Sequence, residues 1–200
     1  MTSPPRITLA SASPRRLDVL RQLGVEPHVA PADVDESYLE GESPAEHVER
    51  LARKKAEAVA VRDRRTVVIG GDTVVVHGDV VLGKPSSEED AVSMLLSLAG
   101  STHDVLSGLA LCRDGHVATG VSSTVVRMRP FDEAVARAYV ATEEPMDKAG
   151  GYGIQGLGAA LVAGIEGDYY SVVGFPVGLF VELVERVGWR YAFGSFTPIP

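Results

Sequence analysis

Two adjacent arginines, Arg15 and Arg16, stand at the predicted start of a helix, where cations are unfavourable. The apolar run 7–10 predicts a short buried strand, Ser13 is a typical N-cap residue, and Pro14 fits the first helical position. A helix start has free N–H groups and partial positive charge, and two guanidinium groups add to that charge. Together these groups favour a bound phosphate. The alternative is a solvated surface pair that costs about 0.3–1 kcal/mol per arginine.

A second helix, predicted from Ser43 to about Val61 by a capping box and an apolar stripe, carries a lysine on that stripe. This residue, Lys55, either extends to the rim of the protein or lines an anion-binding cleft. The loop 31–41 before the helix contains Asp33, Asp35 and Glu36. These three residues either form a solvated acidic turn or provide carboxylates to a site.

A carboxylate and an ammonium flank a predicted hairpin. The apolar run 66–69 predicts a buried strand that ends at two glycines, and Asp72 and Thr73 follow. Strands are predicted at 74–76 and 80–82, on both sides of a turn at 77–79, and Lys84 comes just after the second strand. Asp72 and Lys84 either pair as a structural salt bridge or emerge together at the open end of the sheet, where ligands bind.

These residue types suit chemistry on a polyphosphate. Phosphoryl transfer needs charge neutralisation, a hard cation held by carboxylates and an oriented nucleophile, without a covalent step. The five histidines are dispersed and no Gly-x-Ser-x-Gly elbow is present, so a zinc site or a serine nucleophile is not indicated. The set consists of Arg15, Arg16, Lys55, Lys84, Asp35, Glu36, Asp72, Ser11, Ser13 and Thr73.

Composition bounds the class of protein. The 200 residues, 45% hydrophobic and 23% charged, allow a generous core in one domain or two small lobes. A net charge of −8 argues against a nucleic-acid or anionic-membrane surface, and Cys112 is the one cysteine, so no disulfide forms within the chain. No stretch approaches a membrane span and no signal segment is indicated, so we expect a cytoplasmic protein.

The remaining elements follow from capping residues, turn residues and alternation. The glycine pattern at 151–156 does not follow an apolar strand, so a dinucleotide-binding fold is not indicated. The sequence predicts a strand at 26–30, a helix from Ser86 or Ser87 to Gly100, a hairpin over 105–128 with its turn at 113–115, a helix at about 132–141, a glycine-rich loop at 143–158, a hairpin over 160–173 and a helix from Pro176 to Gly188.

Three motifs resemble those of the Maf family of nucleoside triphosphate pyrophosphatases in order and spacing. They are the runs 9–16 (LASASPRR), 71–73 (GDT) with 83–85 (GKP), and 148–156 (KAGGYGIQG). The resemblance extends over nearly the whole chain and implies one domain at 1–188 with a tail at 189–200. It also implies a mixed α/β fold, in which an elongated twisted mixed sheet is flanked by helices and two lobes enclose a central cleft, as in inosine triphosphate pyrophosphatases.

The resemblance implies hydrolysis of a nucleoside triphosphate to the monophosphate and pyrophosphate. Asp72 is then the catalytic carboxylate with Glu36 as its partner, and Lys84 assists. Asp72 accepts a proton or, with Glu36, holds a divalent metal ion, Mg²⁺ or Mn²⁺. The residues implied to bind the substrate are Ser11, Ser13, Arg15, Arg16, Lys55, Thr73 and Gln155.

Arg15, Thr73 and Gln155 resemble the family branch that acts on dTTP and UTP. The Gln155 amide can accept a hydrogen bond from N3–H and donate one to O4 of uracil or thymine. Gly71 departs from the alanine of many relatives. The family also suggests a symmetric homodimer. A regulator of cell division that binds nucleotides without turnover is the alternative, whereas a nucleic-acid-binding domain is disfavoured by the acidic balance.

Overall fold

The computed structural model describes residues 5–61 and 66–200. Three short 3₁₀ segments, Glu144–Asp147, Ala149–Gly151 and Gly156–Leu161, lie between Val140 and Val162. The helices and strands of this part of the chain are β1 (Arg6–Leu9), α1 (Pro14–Gln22), β2 (His28–Val29), α2 (Pro44–Ala60), β3 (Thr66–His77), β4 (Val80–Leu82), α3 (Glu88–Leu98), β5 (Thr102–Arg113), β6 (His116–Met128), α4 (Glu133–Val140), β7 (Val162–Glu166), α5 (Tyr169–Val173), α6 (Val177–Arg186), β8 (Trp189–Tyr191) and β9 (Phe196–Pro198).

A seven-stranded mixed sheet, flanked by helices, organises the fold. Its strand order is β2-β1-β3-β5-β6-β7, and β4 pairs with β3. Strand β1 runs parallel to β2 and β3, whereas β4 is antiparallel to β3 and β7 is antiparallel to β6. The mixed α/β class predicted from the sequence is therefore confirmed.

The chain divides into two compact units. The first contains the described residues up to Asp72, Ser107–Ser122 and Gly174–Pro200, and the second contains Thr73–Leu106 and Ser123–Val173. Strands β8 and β9 belong to the first unit, where Trp189 is buried. The single domain predicted at 1–188 stays a prediction, and its residues 1–4 and 62–65 lie outside the described part.

Helix α2 packs on β3 through a close approach of two backbones. The predicted capping box is confirmed, since Ser43 Oγ accepts from the Glu46 N–H and the Ser43 N–H donates to Glu46 Oε2. A Cβ atom at Gly70 would lie 2.1 Å from the carbonyl oxygen of Ala52. Glycine at position 70 therefore lets the helix lie directly against the strand.

Two sequence-based expectations about strands are wrong. Strand β3 does not end at the two glycines but continues to His77, because neither glycine forms a turn: Gly70 lets helix α2 lie against the strand, and Gly71 leaves room for the Arg16 side chain. The expected hairpin over 160–173 is also wrong, since Tyr169–Val173 forms helix α5 and its presumed partner β7 pairs with β6. Asp168 Oδ1 accepts the Tyr170 N–H at 2.8 Å and so caps this short helix.

The other two predicted hairpins are confirmed. Strand β3 pairs with β4 in the register Val76 to Val81. Strands β5 and β6 are joined by Asp114 and Gly115, whose φ angles of 50° and 81° suit a two-residue turn of type I′. None of the helices in the described ranges has the length and apolar character needed to cross a membrane.

A buried histidine in the second unit makes stability depend on pH. His103 is 3% exposed, and its Nε2 is hydrogen-bonded to the Tyr152 hydroxyl at 2.7 Å. Within the described residues, His103 Nδ1 has no hydrogen-bond partner. Burial lowers the pKa of His103 from 6.5 to about 4, because a charged imidazolium would lose its hydration, and His77 acts in the same direction.

We expect the free energy of unfolding to decrease as the pH falls from about 6.5 towards 4, because in this range His103 becomes protonated in the unfolded chain but stays neutral in the folded protein. Between pH 7.5 and pH 5 this contribution is about 2 kcal/mol, which urea denaturation at the two pH values would measure. His103→Gln should remove this part of the pH dependence. An unchanged difference between the two pH values in that variant would contradict the assignment.

Candidate functional site

The first turn of α1 places a buried guanidinium beside β3. Ser13 is the N-cap and Pro14 the first helical residue, as predicted. Arg16 is 9% exposed, and it donates from Nε to the Gly174 carbonyl at 2.9 Å and from Nη1 to Ser11 Oγ at 3.0 Å. Arg16 is therefore not a solvated surface cation.

Two carboxylates lie within the electrostatic reach of this guanidinium. Burial lowers the pKa of Arg16, whereas the charges of Asp72 and Glu36 act in the opposite direction. The neighbouring Arg15 is half-buried and lowers the pKa of Arg16 further. A Cβ atom at position 71 would lie 3.2 Å from Arg16 Nε, so Gly71 leaves room for the guanidinium against the strand.

Lys55 joins two carboxylates that the sequence places in different elements. Its ammonium lies 2.8 Å from Asp72 Oδ1 on β3 and 2.7 Å from Glu36 Oε1 in the loop before α2. The lysine and Asp72 side chains are 10% and 13% exposed, whereas the Glu36 side chain is 59% exposed. Lys55 therefore does not simply extend to the rim, since its charge is held between two acids.

Asp35, the residue before Glu36, stabilises a local turn of the loop. Asp35 Oδ1 accepts the N–H of Ser37 at 3.0 Å, and this hydrogen bond lowers the pKa of the Asp35 carboxyl group. Such a local turn orients the backbone on both sides of Glu36. Of these two loop carboxylates, Glu36 reaches the lysine and Asp35 shapes the turn.

Three residues that join the Glu36 loop to α2 were missed by the sequence patterns. They are Glu42, His47 and Arg50, and the side chain of Glu42 is 6% exposed. His47 is one of the five dispersed histidines, and Arg50 belongs to none of the three motifs. Their spacing of three residues on α2 was a usable signal, because it places both side chains on the same face.

The second unit contains the other three predicted site residues. Thr73 is half-buried on β3, Lys84 is exposed after β4, and Gln155 is half-buried at the start of the last 3₁₀ segment. Glu144 fixes the backbone that follows the glutamine, because its carboxylate accepts the N–H groups of Leu157 at 2.9 Å and Gly158 at 3.0 Å.

Tyr139 extends this anchorage to the residues before the glutamine. Its hydroxyl donates to Glu144 Oε1 at 2.8 Å and accepts the N–H of Gly153 at 3.1 Å. Gly156 has a φ angle of 66°, and a Cβ atom there would lie 2.7 Å from Glu144 Oε2. The turn at Gly156 thus needs glycine for both its conformation and its contact with the carboxylate.

In its first unit the structure brings together Arg16 with Ser11, and Lys55 with Asp72 and Glu36. Buried cations beside carboxylates and small hydroxyls can bind a polyanion and orient a reacting water molecule. The described residues contain no group of three or more His, Cys, Asp and Glu side chains arranged to hold a metal ion. The arrangement supplies two carboxylates, Asp72 and Glu36, whose oxygens face a common cation.

The sequence model of the Maf-like protein family matches residues 6–187. The chain belongs to this family. Among Maf-like relatives, the dTTP/UTP pyrophosphatase of Symbiobacterium thermophilum is 48% identical over 190 residues, which are 95% of this chain and 98% of that protein. The dTTP/UTP pyrophosphatase of Halalkalibacterium halodurans is 42% identical over 187 residues, which are 94% and 98% of the two chains.

Among solved structures, the Maf-like chain is similar to the Ham1 protein of Staphylococcus aureus. The TM-score is 0.48 at 17% sequence identity, and the alignment covers 78% of this chain and 79% of the other.

Proposed function

We propose that this Maf-like protein hydrolyses nucleoside triphosphates, dTTP and UTP foremost, to the monophosphate and pyrophosphate. The observation that carries the proposal is the identity of 42–48% to proteins named dTTP/UTP pyrophosphatase over at least 94% of the chain. The cluster of Arg16, Lys55, Asp72 and Glu36 supports it, because cations beside carboxylates are what triphosphate chemistry requires.

In this proposal the first turn of α1 binds phosphate. Arg15 and Arg16 supply charge, and Ser13 and Ser11 lie at the helix start, where backbone N–H groups also bind anions. The buried hydrogen bonds of Arg16 to Gly174 and Ser11 fix its guanidinium before substrate arrives. A preorganised cation stabilises negative charge at lower reorganisation cost than a mobile one.

Asp72 and Glu36 are the proposed catalytic carboxylates. The donor set fits a divalent metal ion, since Mg²⁺ is commonly held by one or two carboxylates together with substrate phosphates. Such an ion would neutralise phosphate charge and activate water. Lys55 keeps the two carboxylates close to each other, and Asp72, the more buried of them, either accepts the proton of the attacking water or holds the ion.

Pyrophosphate release tests the proposal directly. Purified protein with Mg²⁺ and separate samples of dTTP, UTP, CTP, ATP and GTP should release pyrophosphate and a monophosphate, fastest with dTTP and UTP. Absence of product from both pyrimidine substrates would reject the function. Nucleotide binding by calorimetry without any product would favour the nucleotide-sensing regulator instead.

The assignment of base recognition to Gln155 makes a separate prediction. Gln155→Leu should lower kcat/KM for UTP by about 10-fold to 100-fold, because two hydrogen bonds to the base are lost. The loss for CTP should be smaller. Cytosine has an acceptor at N3 and a donor at N4, the reverse of uracil, so an amide oriented for uracil does not form the same two hydrogen bonds with it. Side-by-side kinetics on the two nucleotides would measure the change in preference. Equal losses for both nucleotides would indicate a structural role for Gln155.

A further inference from the structure

The loop that carries Glu36 has no regular structure of its own. Residues 31–43, all of which the structure describes, lie between β2 and α2 and contain neither helix nor strand. Glu36 is 59% exposed at its side chain, so packing alone does not fix its position. Its approach to Lys55 therefore depends on what holds the loop against α2.

Arg50 on α2 binds the loop at two points. Its Nη2 donates to the carbonyl oxygen of Ser37, the residue after Glu36, at 3.0 Å. Its Nε and Nη2 also donate to Glu42 Oε1 and Oε2 at 2.5 Å and 2.7 Å. A bidentate guanidinium–carboxylate pair fixes direction as well as distance, so this contact defines the path of the loop.

Glu42 extends the same anchorage to the middle of the loop. Its Oε2 accepts the N–H of Leu39 at 3.1 Å. Nδ1 of His47 donates to the same oxygen at 3.0 Å. The hydrogen bonds from Arg50 hold the pKa of Glu42 well below its usual range, so the carboxylate stays ionised. The Glu42 side chain, 6% exposed, is thus satisfied by donors from both the loop and α2.

An aromatic stack adds a third point of attachment. The rings of Tyr38 and His47 lie parallel, with centroids 3.5 Å apart and an interplanar angle of 2°. His47 and Arg50 lie on α2, the helix that also carries Lys55. One helix thus presents the ammonium and, through these two side chains, holds the loop that supplies its partner carboxylate.

We propose that Arg50 and Glu42 are positioning residues for the reaction, which hold Glu36 at Lys55 by fixing the loop to α2. The proposal rests on the proposed function for its kinetic consequences, and on the hydrogen bonds from Arg50 to Ser37 and Glu42 for its structural content. Neither residue contacts the reacting atoms in this scheme. Their effect on turnover passes through Glu36.

A double-mutant cycle tests this route. Arg50→Leu should lower kcat for UTP by about 10-fold to 100-fold while KM changes less than about threefold, because a catalytic carboxylate is displaced and phosphate binding is retained. In a Glu36→Gln background, Arg50→Leu should cause no further loss beyond about twofold. Arg50→Lys should have a higher kcat than Arg50→Leu but a lower one than the wild type, since an ammonium can bind Glu42 but cannot form the bidentate pair. Losses that multiply in the double variant would overturn the proposal.

Arg53→Leu is the matched control, since Arg53 lies on the same helix, is exposed and pairs with Glu57. Its kcat should equal that of the wild type, and circular dichroism should show all variants folded. Amide hydrogen exchange tests the loop independently of turnover: Arg50→Leu should speed exchange at Leu39 at least about 10-fold. Unchanged Leu39 exchange would overturn the inference, whereas wild-type protein that releases no pyrophosphate would instead reject the proposed function.

Discussion

Asp72→Asn is expected to reduce pyrophosphate release from UTP and dTTP at least about 1,000-fold, since general-base or metal-holding carboxylates contribute on that scale. The amide is nearly isosteric, and its oxygen can still accept from Lys55, which now lies 2.8 Å from Oδ1. The loss should therefore arise from the missing negative charge. Steady-state kinetics with Mg²⁺, together with thermal melting, would separate lost chemistry from lost folding.

Asp79→Asn is the matched control for this substitution. Asp79 is exposed in the turn between β3 and β4, so its amide variant should keep wild-type turnover. If Asp72→Asn also turned over at the wild-type rate, Asp72 would have no place in the mechanism. Residual activity that recovers with increasing Mg²⁺ would assign Asp72 to the metal, whereas residual activity insensitive to Mg²⁺ would assign it to proton transfer.

Lys55→Met should lower kcat/KM for UTP at least about 100-fold, because it removes a cation from the proposed phosphate site and leaves two carboxylates facing each other. It should also lower the free energy of unfolding by about 1–3 kcal/mol, since two charge-assisted hydrogen bonds are lost. The Glu36 contribution to that loss is small, because this carboxylate is 59% exposed. Pyrophosphate assays and urea denaturation would measure the two effects.

The adjacent lysine provides the control for position and charge. Lys54 is exposed whereas Lys55 is buried, so Lys54→Met removes the same charge from the same helix without touching the two acids. We expect its kcat/KM and its free energy of unfolding to stay close to those of the wild type. A Lys55→Met protein that behaved like Lys54→Met would show that the ammonium between the two acids is dispensable.

Local signals in the sequence predicted many of the elements. The capping box at Ser43 and Glu46 defines the start of α2, and Asp114 with Gly115 defines the β5–β6 turn, because both depend on residues close in sequence. The same reasoning failed at 70–71, where Gly70 serves the contact with α2 and Gly71 leaves room for the Arg16 side chain. A pattern of residues cannot distinguish a glycine that turns the chain from one that admits a helix.

The candidate site was predictable in its chemistry but only partly in its geometry. Asp72 and Lys55 were both singled out, yet their contact with each other depends on how α2 lies on β3. The Arg50 and Glu42 pair escaped prediction, because arginine on a helix and glutamate before its cap usually indicate solvent-facing positions. Such pairs are set by the tertiary path of a loop, which short-range patterns do not encode.

The approach of Ala52 to Gly70 has a consequence for how this protein can vary. Any side chain at position 70 would push α2 outward, and Lys55 would move away from Asp72 with the helix. A substitution at this interior position would therefore increase the distance between the Lys55 ammonium and the Asp72 carboxylate. Glycine at position 70 is thus required both by the lack of space for a side chain and by the ion pair that depends on the position of α2.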